Sequence, residues 1–235
     1  MVVLAIGCHP DDLEVSCGGT LRRYVKAGHD VYMAHTANGD MGHRIIKPDE
    51  LRKIRERESI EAGKIIGARE VINIDIGDCT FRQNENLALE RLVDTIKRIK
   101  PDVIITHNPE DYMEDHVRVS NLVYEASFTA TISHIYEKYP PCERVSPLYY
   151  MDITGGSKFL PEEYVDITAE MEEKLDALGC HQSQLKWMKD HDGIDFLEFV
   201  RTISRFRGIQ SGVQYAEGFI RAKEWPRMTT ERLLP

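Results

Sequence analysis

Short runs of apolar, β-branched residues recur over roughly the first 130 residues and alternate with stretches of helical character. The first run is Val2–Gly7, and later strands are predicted over 30–36, 71–76 and 103–106. Uninterrupted apolar runs of this length are typical of parallel strands that are buried on both faces. Their alternation with helices predicts an α/β fold, a Rossmann-like, doubly wound and mostly parallel sheet flanked by helices.

Residue patterns typical of helices lie between these strands and also C-terminal to them. Pro48 suits the first turn of a helix and Gly67 the position just past its end, so this helix is predicted over 48–66. Other helices are predicted over 18–27, 87–99, 168–180 and 194–207, and one more begins at about residue 117. Two further strands are predicted over 148–153 and 164–167. No linker interrupts the chain, so we expect a single domain over 1–235, with a C-terminal extension on the same core.

The composition of the chain argues against several classes of binding partner. Forty-two per cent of the 235 residues are hydrophobic, enough for a large core, and the net charge of −9 argues against nucleic acid as a partner. No stretch approaches the roughly 18 apolar residues of a membrane span. The five cysteines, at 8, 17, 79, 142 and 180, form no Cys-x-x-Cys pair. They are predicted to be reduced thiols in a cytoplasmic protein without a leader segment.

Two polar loops follow predicted strands. A His-Pro-Asp-Asp motif occupies 9–12, and the loop over 108–116 ends in an Asp-His pair. If the first and fourth strands are neighbours, these loops meet at the carboxyl edge of the sheet. His9, Asp12 and His116 would then offer a metal two nitrogens and one oxygen and leave positions open, as in catalytic sites. The alternative is that Asp12 caps a helix and the histidines are ordinary surface residues.

The chain resembles the PIG-L/LmbE-like zinc-dependent N-acetylglucosaminyl deacetylases over nearly its whole length. The His-Pro-Asp-Asp motif is the most specific part of this likeness. The positions that carry the resemblance are His9-Pro10-Asp11-Asp12, Gly18-Gly19-Thr20, Arg55-x-x-Glu58 with Ala62 and Gly67, the Asp78 region, Pro101-Asp102-Val103, Asp115-His116, His181-x-Ser183-Gln184, Arg207-Gly208 and 215–219.

The resemblance implies a metal site and a reaction. His9, Asp12 and His116 match the family's zinc ligands, which implies one Zn²⁺ per chain, and Asp11 matches its general base. A bound zinc lowers the pKa of its water toward ~7 and polarises an amide carbonyl. The expected reaction is hydrolysis of the acetamide of an N-acetylglucosamine-type sugar, which releases acetate and a free amine.

One position departs from the family pattern. Met113 stands where the family often has a histidine that helps to stabilise the oxyanion, and a thioether donates no hydrogen bond. His181, His107 and Tyr112 are candidates for that function. Of these we favour His181 as the catalytic substitute, placed by a C-terminal segment that folds over the edge of the sheet.

Three further positions have assigned roles under the resemblance. Arg55 and Asp78 are predicted to bind the substrate, although Arg55 also fits a solvated ion pair on its helix and Asp78 a turn cap. Asp115 is predicted to orient a ligand imidazole from outside the metal shell. Residues 215–219 are expected to close the C-terminal edge of the sheet.

Other functions stay open at this point. Because Met113 replaces a histidine, one alternative is a metal- and sugar-binding protein with little turnover. Another is a different amidohydrolase that acts on a non-sugar N-acyl substrate. Two histidines and a carboxylate could also hold Fe(II) for oxygen chemistry, although a free second aspartate favours hydrolysis. The incomplete glycine pattern argues against a nucleotide site. Besides a small sugar substrate, we expect the chain to form a homo-oligomer.

Overall fold

The computed structural model describes residues 1–78 and 80–235. The reduced thiol expected at Cys79 lies outside these residues, and the other four cysteines are free. No helix in the described ranges is both long and apolar enough to cross a membrane.

The strands of the described chain form one seven-stranded sheet in the order β3-β2-β1-β4-β5-β7-β6. The strands are β1 (Val2–Gly7), β2 (Asp30–Ala37), β3 (Glu70–Ile76), β4 (Val103–Thr106), β5 (Leu148–Met151), β6 (Glu163–Asp166) and β7 (Ala216–Arg221). The first five are mutually parallel, whereas β7 runs antiparallel to both β5 and β6. The predicted mostly parallel, Rossmann-like sheet is confirmed.

Helices cover both faces of this sheet. Within the described residues they are α1 (Asp12–Lys26), α2 (Pro48–Ile66), α3 (Phe81–Ile99), α4 (Glu114–Thr129), α5 (Met171–Leu178), α6 (Gln182–Trp187) and α7 (Phe196–Ser211). A π-helical segment over Met188–Asp192 continues α6. Val3 and Ala5 of β1 pack into the core shared with α1, α2, α5 and α7, whereas Leu4 and Ile6 pack into the core shared with α3 and α4. Burial on both faces explains the continuous apolar run of β1.

Helix α1 begins at Asp12, not at Gly18 as predicted. The backbone of Asp11 adopts φ 115°. The chain turns sharply at this residue, and the turn leads it from the loop after β1 into α1. Gly18 and Gly19 are weak helix formers, so local propensity placed the start too late. The His-Pro-Asp-Asp motif therefore forms both the loop after β1 and the start of α1.

Other boundaries also differ from the prediction. Helix α3 begins at Phe81 instead of residue 87, and α4 begins at Glu114 instead of about 117. The expectation that 215–219 closes the edge of the sheet is wrong, because β7 lies between β5 and β6 and the edge strand is β6. Pairing between distant strands decides this order, and no local pattern encodes it.

Candidate active site

The adjacency of β1 and β4 brings the two polar loops together. These strands pair in parallel, with Ile6 opposite Thr106, so both chains leave the sheet at the same edge. Residues from the two loops then line a common cavity of about 350 Å³. The predicted meeting of the loops is thus observed.

Asp12 lies between the two histidines predicted to bind metal with it. Its Oδ2 is 3.6 Å from Nδ1 of His9, and its Oδ1 is 3.4 Å from Nε2 of His116. The rings of His9 and His116 are 5.4 Å apart at their centroids. The fold therefore brings the three predicted ligands together around one carboxylate.

One ring nitrogen of His116 is buried near Asp12 without a hydrogen bond to any described residue. Its Nδ1 hydrogen-bonds Asp111 Oδ2 at 3.0 Å, whereas the buried Nε2 has no hydrogen-bond partner in the described part of the chain. Burial by itself lowers the pKa of His116, but Asp12 and the bond to Asp111 outweigh it and raise that pKa to about 9. Because the cluster favours positive charge at Nε2, its donor set fits a divalent metal.

His107, directly after β4, is a second buried histidine beside this cluster. It stacks on His116 with ring centroids 3.9 Å apart, and Asp12, His107 and His116 offer ligand-type atoms within 4.8 Å of one another. However, Nε2 of His107 accepts a hydrogen bond from the Cys8 amide at 2.8 Å. Burial and the charge of His116 lower the pKa of His107 to about 4. Nε2 of His107 also lies 3.1 Å from Oδ2 of Asp12, so His107 belongs to a second group of potential metal ligands, together with Asp12 and His116.

Cys8 completes another group of potential ligands with His9 and Asp12. Burial raises the pKa of the Cys8 thiol to about 12. Since a metal binds the thiolate and not the thiol, Cys8 is a poor ligand at neutral pH. Its small buried side chain packs at the end of β1, as its sequence position suggested.

Asp11 lines the cavity beside these residues and is itself buried. Burial and the neighbouring Asp12 charge raise its pKa to about 7. Its backbone occupies the left-handed region at φ 115°, a strained conformation for a residue with a side chain. A carboxylate with this pKa at the cavity wall suits proton transfer near neutral pH.

His181 occupies a different place from the one expected. It is buried, is absent from the residues that line the cavity, and places Nε2 3.5 Å from Oε1 of Glu14. The charge of His181 acts on Asp11 and lowers its pKa against the larger effect of burial. His181 therefore lies near enough to Asp11 for its charge to act on that carboxyl, although it is not among the residues that line the cavity. Of the three candidates for the missing histidine, Tyr112 lines the cavity, together with Met113.

Asp78 contacts backbone amides, and Asp115 lies beside a candidate ligand imidazole. The carboxylate of Asp78 accepts hydrogen bonds from the amides of Gly39 at 2.9 Å and Met41 at 3.3 Å, although it also lines the cavity. Asp115 Oδ2 lies 3.8 Å from Nε2 of His9. The close acceptor for a ligand imidazole is instead Asp111, which faces His116.

Arg55 is buried and lines the cavity, so the solvated ion pair is excluded for it. Its Nη2 donates hydrogen bonds to the side chain of Gln184 and to the carbonyl of Gly42. On the next turn of α2, Glu58 accepts hydrogen bonds from the amide and the hydroxyl of Ser183 at 2.8 and 2.6 Å. Two motifs 125 residues or more apart in sequence therefore meet in space, and no local signal predicted their pairing.

With this geometry in hand, the family of the chain can be stated. Residues 4–127 match the family model described as PIG-L: GlcNAc-PI de-N-acetylase, which is more than half of the chain. The protein belongs to this family, and the resemblance inferred from its motifs is confirmed.

Several characterised or solved proteins are similar to this chain. Diacetylchitobiose deacetylase of Thermococcus kodakarensis is 28% identical over 222 residues, which cover 92% of this chain and 81% of the relative. An uncharacterized deacetylase of Escherichia coli is 30% identical over 77% of this chain and 90% of its own length. The structure of N,N′-diacetylchitobiose deacetylase from Pyrococcus horikoshii superimposes with a TM-score of 0.82 at 26% identity, covering 94% of this chain and 83% of that one.

A 4-carboxy-2-hydroxymuconate hydratase from Pseudomonas putida has the same TM-score of 0.82 at 22% identity, over 98% of this chain and 99% of that chain. At this identity the likeness shows the fold alone. Since one fold can carry different reactions, the activity has to be argued from the site.

Proposed function

We propose that this chain hydrolyses the acetamide of an N-acetylglucosamine-type substrate, releasing acetate and a free amine, with a zinc ion held by His9, Asp12 and His116. The observation that carries the proposal is the convergence of these side chains around Asp12, with the buried Nε2 of His116 left without a partner. Family membership and the deacetylase relatives support the same reaction.

When bound, zinc polarises the acetyl carbonyl and makes a water molecule more acidic. Asp11 removes a proton from the attacking water as its oxygen adds to the acetyl carbon. The same carboxyl then delivers this proton to the amine nitrogen as the C–N bond breaks. A pKa raised to about 7 allows Asp11 both to accept and to return a proton near neutral pH.

The roles of the remaining residues follow from their positions. Tyr112, with a hydroxyl donor and a place on the cavity wall, is our candidate for the hydrogen bond that Met113 cannot make. His181 acts through its charge, which lowers the pKa of Asp11, and lies next to Glu14. Arg55 and Asp78 contact the substrate through the parts of their side chains that line the cavity.

Asp115 contributes to the placement of His9. A cytoplasmic location is supported by the four free cysteines, and homo-oligomer formation stays a prediction. The second candidate function, a metal- and sugar-binding protein with little turnover, is favoured by Met113 on the cavity wall.

Release of amine from a panel of N-acetylated sugars, with metal analysis of the same preparation, tests the proposal. We expect about one zinc per chain, sharply less in His9→Ala, Asp12→Ala and His116→Ala. Asp11→Asn should keep the metal and lose roughly 10²–10⁴-fold in turnover, the usual scale for a positioned general base. Absence of amine release from every sugar, with zinc bound, would favour the binding protein. Full zinc content in all three alanine variants would refute the ligand set.

A further inference from the structure

A buried carboxylate lies in the first turn of α1, next to the candidate base. Glu14 is fully buried, and neither of its carboxylate oxygens has a hydrogen-bond partner within the described ranges. It follows Asp11 by three positions, so both residues lie on one side of the first turn. A buried carboxylate without hydrogen bonds is unfavourable unless an opposite charge lies close to it. A positive group is therefore expected beside Glu14.

His181 provides this positive group. Its Nε2 lies 3.5 Å from Oε1 of Glu14, and neither of its ring nitrogens makes a hydrogen bond to a described residue. Burial lowers the pKa of His181, but the neighbouring carboxylates, Glu14 foremost, outweigh burial and raise that pKa. Burial likewise raises the pKa of Glu14, but the neighbouring histidines, His181 foremost, outweigh burial and lower that pKa. The two side chains therefore form a buried ion pair, a carboxylate beside an imidazolium.

A second buried histidine near Glu14 is neutral. His35 of β2 is buried, and its Nε2 has no hydrogen bond in the part of the chain that the structure describes. Burial lowers the pKa of His35, although the charge of Glu14 opposes this effect. The carboxylates of Asp11 and Glu58 also act on His181. His181 is therefore charged where His35 is not, and Glu14 is the anion paired with it.

The backbone of His181 is fixed independently of its ring. His181 directly precedes α6, and its amide donates to the last carbonyl of α5 at 3.1 Å. Two residues further on, Ser183 donates two hydrogen bonds to Glu58 of α2. Because the backbone is held by α5 and α2, the ion pair with Glu14 sets the orientation of the ring. The imidazolium then has a defined position near Asp11, on whose carboxyl its charge acts.

We infer that Glu14 is a positioning residue for the proposed reaction: it holds the His181 imidazolium beside Asp11, so that the general base faces a fixed positive charge. This inference rests on the proposed function. Asp11 is a carboxylate when it takes the proton of the attacking water, and Asp12 next to it is a second negative charge. A fixed cation stabilises that carboxylate. Glu14 is not among the residues that line the cavity, so it acts on the reaction through His181.

The ion pair can be tested without turnover. Nitrogen NMR of the zinc-loaded protein with isotope-labelled histidines separates neutral from charged imidazoles, and His181→Asn identifies the signal of His181 by its loss. At about one pH unit above the ordinary histidine pKa of 6.5, we expect His181 to be charged in the parent protein and neutral in Glu14→Gln. A neutral His181 in the parent protein, or a charged one in both proteins, would overturn the inference.

A double-mutant cycle tests the positioning role. Glu14→Gln should keep zinc content and KM and lower kcat for amine release roughly 10–100-fold, the scale for partners that orient catalytic groups. In the His181→Asn background the same change should lower kcat no further, because Glu14 acts through His181. Glu14→Asp keeps the carboxylate and should recover part of the loss. An unchanged kcat in Glu14→Gln, or losses that multiply in the double variant, would contradict the inference.

Glu217→Gln is the matched control, because Glu217 is a similarly buried carboxylate in an ion pair, 2.6 Å from Nζ of Lys174, and also contacts α1. This change should lower the Tm and leave kcat unchanged. An equal fall of kcat in Glu217→Gln would assign the effect to the loss of any buried charge and overturn the inference.

If Glu14→Gln does not fold, Glu14→Asp takes its place in the NMR measurement and the cycle, with a smaller loss of kcat expected. If no sugar releases amine from the parent protein, the proposed function fails. The NMR measurement then still decides whether Glu14 holds His181 in its charged form.

Discussion

At the scale of single residues, the candidate metal site depends on which atom of each histidine is free. Asp111 engages Nδ1 of His116, which leaves Nε2 directed toward Asp12. His107 is instead engaged at Nε2 by the Cys8 amide and stays neutral. The two adjacent, stacked imidazoles therefore differ in pKa because their surroundings differ.

Asp111→Asn tests this reading of His116. An amide is a weaker acceptor than a carboxylate and leaves the imidazole less basic, so we expect zinc affinity to fall roughly 10–100-fold. Competition with a chromophoric chelator measures the affinity. Glu110→Gln removes the same charge from an exposed neighbour in the loop and serves as the control. Equal affinities in the two variants would mean that Asp111 does not support the metal ligand.

At the scale of secondary structure, α2 connects the strand-end loops to α6 and the π-helical segment that continues it. One face of this helix presents Arg55 to the cavity and Glu58 to the start of α6. The short helix α6 spans six residues, too few to be stable by itself, so its position depends on these contacts. The π-helical segment that follows widens the helix where its residues line the cavity.

Glu58→Gln tests the anchoring of α6. The change weakens two charge-assisted hydrogen bonds to Ser183, and we expect a loss of about 1–2 kcal/mol in the free energy of unfolding. Urea titration measures this loss, and hydrogen exchange should show faster opening over 182–192. Glu61→Gln, at an exposed position one turn along α2, is the control. If both variants match the parent protein in stability and exchange, Glu58 does not anchor α6.

At the scale of the whole molecule, buried charges tie the C-terminal extension to the first helix. Glu217 of β7 accepts hydrogen bonds from the amides of Gly19 and Thr20 at 2.9 and 2.7 Å, and from Lys174 at 2.6 Å. A Cβ on Gly19 would lie 2.8 Å from Ile167, so this approach requires a glycine. The Gly-Gly-Thr motif therefore serves close packing of α1 against the extension, not phosphate binding.

The stability of the metal-free protein should depend on pH through His116. Its folded pKa of about 9 lies above the ordinary value of 6.5. The protonated form therefore stabilises the folded state fully below pH 6.5, and this contribution is lost as the pH rises to 9. We expect the Tm of chelator-treated protein to fall over this interval, and added zinc to raise the Tm by binding the folded state.

His116→Gln should reduce this pH dependence and leave the part that comes from His9 and His181, whose pKa values are also raised. His134→Gln, at an exposed position, should retain the dependence of the parent protein. Differential scanning calorimetry at several pH values measures the slope. A slope in His116→Gln equal to that of the parent protein would assign the pH dependence to other groups.

The sequence by itself determined the class of fold and the place of the site. Buried parallel strands are encoded locally as apolar runs, and the polar loops after β1 and β4 follow those runs directly. For this reason the meeting of His9, Asp12 and His116 could be predicted from residue types and strand order alone. The motifs also sufficed to indicate the family.

Only the tertiary structure decided which side chains serve as partners. Asp111 bonds His116 and Asp115 lies beside His9. His181 lies next to Glu14, and Ser183 meets Glu58. The insertion of β7 between β5 and β6 was likewise decided by long-range pairing. Each of these contacts joins atoms whose separation depends on helix orientation and side-chain direction across the whole core, and neither quantity is encoded in a local pattern.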